Sequence, residues 1–210
     1  MVVASSVAEA SRNDEYLFRM LDTESGLPDN NVRNMTMLPE GLMCIQTSSM
    51  LNLYDGAACR SYKYNAIEIP YTEYSGLNTS CYDSQWNVLW CTTRDHVWIF
   101  DLKTRSFEYD VAERLGGIGI TGTAIQTVNI GSDGKLWLCT KDRRLLICNR
   151  AGGIDNGIES IALPPDMELP VIMKEHNGRM WILSMNGILA EYAPPHQGFQ
   201  DNKEDSPGQF

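Results

Sequence analysis

Three histidines, six cysteines and 27 carboxylates are the groups with which this 210-residue chain could do acid–base, nucleophilic or metal chemistry. Their spacing argues against all three. His96, His176 and His196 stand apart, with no H-E-x-x-H, no H-x-H and no trio with carboxylates at ligand spacing. His176 sits in Glu175-His176-Asn177-Gly178, the composition of an exposed turn. Cys44, Cys59, Cys81, Cys91, Cys139 and Cys148 form no C-x-x-C pair and no zinc-spaced cluster. Most lie in apolar runs, where free cysteine acts as a small hydrophobe. Cys81 and Cys91 flank a turn near Trp86 and could face each other across a hairpin, although cross-strand geometry rarely suits a disulfide. No G-x-S-x-G elbow is present, and the run Leu115-Gly116-Gly117-Ile118-Gly119 lacks the helix and lysine of a phosphate loop. It reads as an inter-strand connection. Asp133-Gly134 and Asn177-Gly178 are hairpin turns, because no D-x-D-x-D-G spacing accompanies them. The expectation is a chain that is not an enzyme, with no cofactor and no metal.

Charge narrows the partners. Seventeen basic against 27 acidic residues give a net charge of −10, which repels nucleic-acid backbones and acidic membrane surfaces. No apolar run approaches the about 18 residues of a spanning helix. Residues 1–15 read as an N-terminal stub or signal remnant, small and apolar from Met1 to Ala10 but without a basic residue before Arg12. Residues 193–210 are polar, rich in Gln, Asp, Gly and Pro, and read as a disordered tail.

Between these ends the sequence repeats itself. A turn, an apolar strand and a hydroxyl residue recur in Glu40–Thr47, Trp86–Thr93, Asp133–Thr140 and Asn177–Ser184. The hydroxyls Thr47, Thr93, Thr140 and Ser184 are spaced by 46, 47 and 44 residues. Trp90, Trp137 and Trp181 stand three positions before theirs, and Cys44 occupies that place in the first unit. Strand-like runs precede each turn (Val32 to Leu38, Leu77 to Tyr82, Ala124 to Ile130, Val171 to Lys174) and follow each hydroxyl. An outer strand follows two of the units, at Ala58 to Tyr64 and Ser106 to Val111. Four strands in about 45 residues make one propeller blade. The fold expected over residues 16–192 is therefore all-β, about four four-stranded β-propeller blades forming a partial or small propeller. The tryptophans should fill the space between neighbouring sheets, and the hydroxyls should satisfy backbone groups. Tyr16 to Leu21 reads as an outer strand that could complete the fourth blade and close a ring. The alternative is an open arc whose exposed blade faces associate with another chain.

The opening run from Asp22 to Arg33, with Gly41–Thr47 and Leu51–Gly56 behind it, resembles the two-component-regulator propeller repeat. That family's pattern runs G-L-S-x-N-x-V, then D-G-x-I-W-I-G-T, then G-L-x-x-Y-D-G. The resemblance implies the extracytoplasmic sensor region of Bacteroides-type hybrid histidine kinases, periplasmic and responsive to polysaccharide-derived oligosaccharides. Cys44 departs from the pattern, later units drift from its ending, and no kinase, sandwich domain or membrane span follows in this sequence. A fragment of such a sensor is thus the expected identity, with an interaction scaffold or a propeller glycosidase or lyase as alternatives.

Propellers present ligands to loops at one face. The loop residues suited to sugar binding by stacking or hydrogen bonding are Asn30, Asn31, Arg33, Tyr71, Tyr74, Arg94, His96 and Arg143. Each also reads as a solvated loop residue, and that plainer reading is the preferred one. An oligosaccharide and a second copy of the chain are the expected partners.

Overall fold

A computed structural model describes residues 20–65, 79–93, 96–150 and 157–193, together with the backbone of 199–201. Among the described residues the chain is nearly all β: sixteen strands form four four-stranded antiparallel sheets, each an up-and-down meander, arranged as a four-bladed propeller. The first sheet holds β1 (Val32–Met37), β2 (Met43–Thr47), β3 (Met50–Tyr54) and β4 (Cys59–Lys63). The second holds β5 (Thr79–Asp83), β6 (Val88–Thr92), β7 (Val97–Asp101) and β8 (Ser106–Glu108). The third holds β9 (Ile125–Ile130), β10 (Leu136–Thr140), β11 (Arg144–Cys148) and β12 (Ile158–Ala162). The fourth holds β13 (Pro170–His176), β14 (Arg179–Ser184), β15 (Leu189–Tyr192) and β16 (Phe199–Asp201).

Side chains alternate across each sheet, so the central strands of the second and third sheets pack against both neighbouring sheets. Cys44, Leu51 and Leu53 meet Leu89, Cys91, Trp98 and Phe100 at the first junction. Val88, Trp90 and Ile99 meet Leu136, Leu138, Leu146 and Cys148 at the second. Trp137, Cys139, Leu145 and Ile147 meet Met173, Met180, Ile182 and Tyr192 at the third. The second junction is capped by a short helix, α1 (Ala112–Gly116), with Leu115 buried beneath it. The glycine-rich run is therefore a helical turn carrying a core residue, not merely a connection. Among the described residues, no apolar cluster joins the fourth sheet back to the first.

Two strands were not legible in the sequence pattern. The outer strand β12 alternates half-buried and exposed residues, and its polar members Glu159 and Ser160 mask the run. The outer position of the fourth sheet belongs to β16, whose Phe199 pairs with Tyr192 and Asp201 with Ala190. The N-terminal stretch expected there does not hold it, and part of the tail expected to be disordered forms a strand. Residues 16–19 of that stretch lie outside the described residues. No described helix is long and apolar enough to cross a membrane.

Candidate functional site

The antiparallel register places Val32 beside Thr47, Thr79 beside Thr92, Ile125 beside Thr140 and Pro170 beside Ser184. All four sheets thus share one end, here the upper end, where inner strands begin and the second hairpin of each blade turns. The repeated hydroxyls work there. Thr47 Oγ1 donates to the Met50 carbonyl at 3.1 Å, Thr93 Oγ1 to His96 at 3.3 Å, Thr140 Oγ1 to Arg144 at 3.2 Å and Ser184 Oγ to Ile188 at 3.1 Å. Each bond ties the two strands of a hairpin at its turn, and the His96 and Ile188 carbonyls also accept the backbone amides of Thr93 and Ser184.

Five of the eight candidate binding residues are described; they lie at this end, and four of the five are hydrogen-bonded to neighbouring protein groups. Asn30 is exposed, and its Oδ1 accepts the Thr23 amide at 3.0 Å. Asn31 is exposed and donates its own amide to Asp29. Arg33 is half-buried, with Nε and Nη2 both 3.2 Å from Ser48 Oγ. His96 is exposed beside the Thr93 hairpin. Arg143 holds the Pro164 and Pro165 carbonyls at 2.8 and 2.7 Å, so it clamps a loop. Tyr71, Tyr74 and Arg94 lie outside the described residues.

Trp90 and Trp137 each face the next sheet, and their surroundings differ. Trp90 is fully buried, and its Nε1 donates to Asp83 Oδ2 at 3.1 Å. Asp83 is also buried and is held by the guanidinium of Arg150, whose Nη2 lies 3.1 Å from Oδ1. Arg150 stacks 4.8 Å from the centroid of Trp86, and Arg114 approaches the same ring at 5.4 Å. In the third sheet the register position of Asp83 is taken by Gly131, whose amide donates to the Lys135 carbonyl at 2.9 Å. Trp137 Nε1 is accordingly buried with no hydrogen-bond partner among the described residues.

Beside Trp137 lies a cavity of about 140 Å³ lined by Lys135, Trp137, Ile147, Asn149, Gly157, Glu159 and Tyr192. It opens at the lower end of the junction between the third and fourth sheets, and none of the described upper-end candidates lines it. Trp137 and Tyr192 meet edge-on at 5.5 Å, and Tyr192 donates its phenol to Glu159 Oε1 at 3.2 Å. Burial, followed by the neighbouring Glu159, pushes the Tyr192 phenol above its ordinary pKa. Lys135 Nζ is 2.6 Å from Asp133 Oδ2 at the rim. The volume matches about four or five waters, less than a drug-sized ligand needs. It suits one small polar molecule or the end of a longer one. Sequence reasoning missed it because strands β10, β11, β12 and β15 supply its wall only after the blades stack.

The cysteines are all free. Cys81 pairs with Trp90 and Cys91 with Ser80, so the two thiols point to opposite faces of their sheet. Burial pushes the thiols of Cys44 and Cys81 up to about 12 and that of Cys148 to about 11. Among the described residues no group of three or more His, Cys, Asp or Glu could hold a metal ion.

No family model and no curated relative matches the chain. Solved structures do. An extracellular domain assigned to a hybrid two-component system of B. thetaiotaomicron matches with a TM-score of 0.56 and 20% identity, over 87% of this chain and 26% of that one. YCF48 bound to D1 peptide matches with a TM-score of 0.52 and 11% identity, over 82% of this chain and 53% of that one. A chain of the Mitotic Checkpoint Complex matches with a TM-score of 0.51 and 6% identity, over 96% of this chain and 61% of that one. This chain therefore spans only part of the length of each. At such identities the likeness concerns the fold, and these proteins share with this chain a stack of propeller blades.

Proposed function

We propose that the chain is a non-catalytic ligand-binding module of an extracytoplasmic sensor, and that polysaccharide-derived oligosaccharides are its ligands. The observation that carries the reading is the cavity between the third and fourth blades. An indole ring, a phenol, a carboxylate, an amide and an ammonium line it, the mixture that binds sugar hydroxyls while presenting an apolar wall. Its size fits a single terminal residue of a longer glycan. The motif resemblance of residues 22–56 and the fold shared with an extracellular two-component domain support the sensor context.

Calorimetric titration with a panel of plant and host oligosaccharides tests this. One glycan class should bind, and Glu159→Gln or Lys135→Ala should weaken it by at least about tenfold while leaving the melting curve in place. Flat titrations across the panel, or binding indifferent to both changes, would sink the reading. A second reading, an interaction scaffold, is favoured by one specific observation: large apolar side chains of the first and fourth sheets remain uncovered, including Met35, Met37 and Leu189.

A further inference from the structure

Three strands of the third sheet set a row of side chains along one face of the cavity beside Trp137. Trp137 lies opposite Ile147, and Ile147 opposite Glu159, so all three point the same way. The first two are buried, and Glu159 is exposed. An apolar floor therefore ends in a carboxylate. A Cβ on Gly157, two residues before Glu159 and also in the cavity wall, would meet nothing within 4 Å, so the space there is open.

The charges around this row are uneven. Among the described residues Lys135 is the one cation in the cavity wall, and its Nζ lies 2.6 Å from Asp133 Oδ2. Its charge is balanced there, although an ammonium has three N–H groups and the others remain for hydroxyls. The adjoining turn brings another carboxylate, since the amide and the hydroxyl of Ser132 both donate to Glu175. Arg150 reaches the same turn through the Gly134 carbonyl at 3.2 Å, but its charge is met by buried Asp83. Glu159 has no such partner. Its Oε1 accepts the Tyr192 phenol at 3.2 Å, a neutral donor that orients the carboxylate without offsetting its charge. Among the described residues Oε2 accepts no hydrogen bond, and the carboxylate makes no ion pair.

We propose that Glu159 is the specificity-determining residue of this cavity, and that it selects a terminal sugar bearing a free ammonium over neutral and uronic-acid counterparts. The inference rests on the sugar-binding reading above and deepens it. The sugar ring lies along Trp137 and Ile147, and its ammonium donates to the open Oε2, a charge-assisted hydrogen bond. A uronic-acid carboxylate at the same place meets Glu159 with like charge and finds Lys135 already paired. The net charge of −10 on the whole chain biases the approach of ligands in the same direction.

Calorimetric titration with the tetrasaccharides of glucosamine, glucose and glucuronic acid, all joined by the same linkage, reads the preference directly. The glucosamine form should bind about fivefold more tightly than the glucose form, and the glucuronic acid form should bind most weakly. Added salt should narrow the gap, since the carboxylate is exposed. Glu159→Gln keeps an acceptor for the Tyr192 phenol and removes the charge, so the glucosamine and glucose forms should then bind alike. Equal binding of those two forms by the unaltered chain overturns the proposal and leaves the sugar-binding reading standing. So does tighter binding of the glucuronic acid form, or a preference that survives Glu159→Gln. Three flat titrations overturn it too, and the wider glycan panel then decides whether the sugar-binding reading falls with it.

Discussion

The second and third blade junctions are built on the same indole, and they end differently. At the second, Trp90 gives its N–H to Asp83, and Asp83 is in turn held by Arg150 and by the amides of Gln85 and Trp86 at 3.0 and 3.4 Å. At the third, Gly131 replaces the aspartate, the Trp137 N–H is orphaned, and a cavity lies beside the ring. A polar group wedged between sheets either has a partner, and the joint is sealed, or lacks one, and the joint stays chemically open.

Breaking the sealed joint should produce the largest effect. Asp83→Ala leaves the Arg150 guanidinium, whose side chain is 4% exposed, buried without its carboxylate, and should destabilise the fold by about 3–5 kcal/mol in urea denaturation. The double change Asp83→Ala with Arg150→Met should recover much of that loss, since an apolar pair of similar volume suits the site. If the single change costs under about 1 kcal/mol, the second junction is not held by this pair.

The open joint can be sharpened by a smaller change. A Cβ on Gly131 would meet Trp137 Nε1 at 2.8 Å and Asp133 Oδ1 at 2.7 Å. The aspartate can swing away, but the indole is wedged between sheets and must shift bodily. Gly131→Ala should therefore cost about 1–3 kcal/mol and should also weaken any ligand held beside Trp137. Unchanged stability would mean that the third junction yields, and that its cavity is not shaped by the glycine.

How much of this is legible in the sequence follows from what is local. Trp90, Trp137 and Trp181 with their hydroxyls repeat at near-constant spacing, and both the blades and the hairpin closures follow from that pattern. The role of Asp83 does not. It stands seven residues before Trp90 in what reads as an ordinary turn, and Arg150 joins it from 67 residues away. The cavity is hidden for the same reason, because its carboxylate and its two rings come from three different strands. The upper-end candidates have suitable chemistry by type, but residue type does not reveal that Arg143 is already committed to two proline carbonyls.

The two ends of the blades differ as well, and pH should separate them with the smallest effect of the series. In the fourth blade a hydroxyl, which does not titrate, closes the upper hairpin, while carboxylates close two of the lower ones in the first and second blades. Asp55 Oδ1 accepts the amides of Ala57 and Ala58 at 2.9 and 2.8 Å, and Asp101 Oδ1 accepts those of Lys103 and Thr104, both at 2.8 Å. These bonds, led by the amides of Ala58 and Thr104, hold both carboxyls below the usual carboxylate range. A carboxyl whose pKa is depressed on folding stabilises the fold above its unfolded value of about 3.9, and that contribution is lost as pH falls through the folded value. Below about pH 4, hydrogen exchange should therefore lose protection first at the amides of Ala57, Ala58, Lys103 and Thr104. The Ser184 amide, bonded to the Ile188 carbonyl at 3.0 Å, should keep its protection. Equal loss at both ends would mean that the whole array opens together in acid, and that neither end is held by its own turn chemistry.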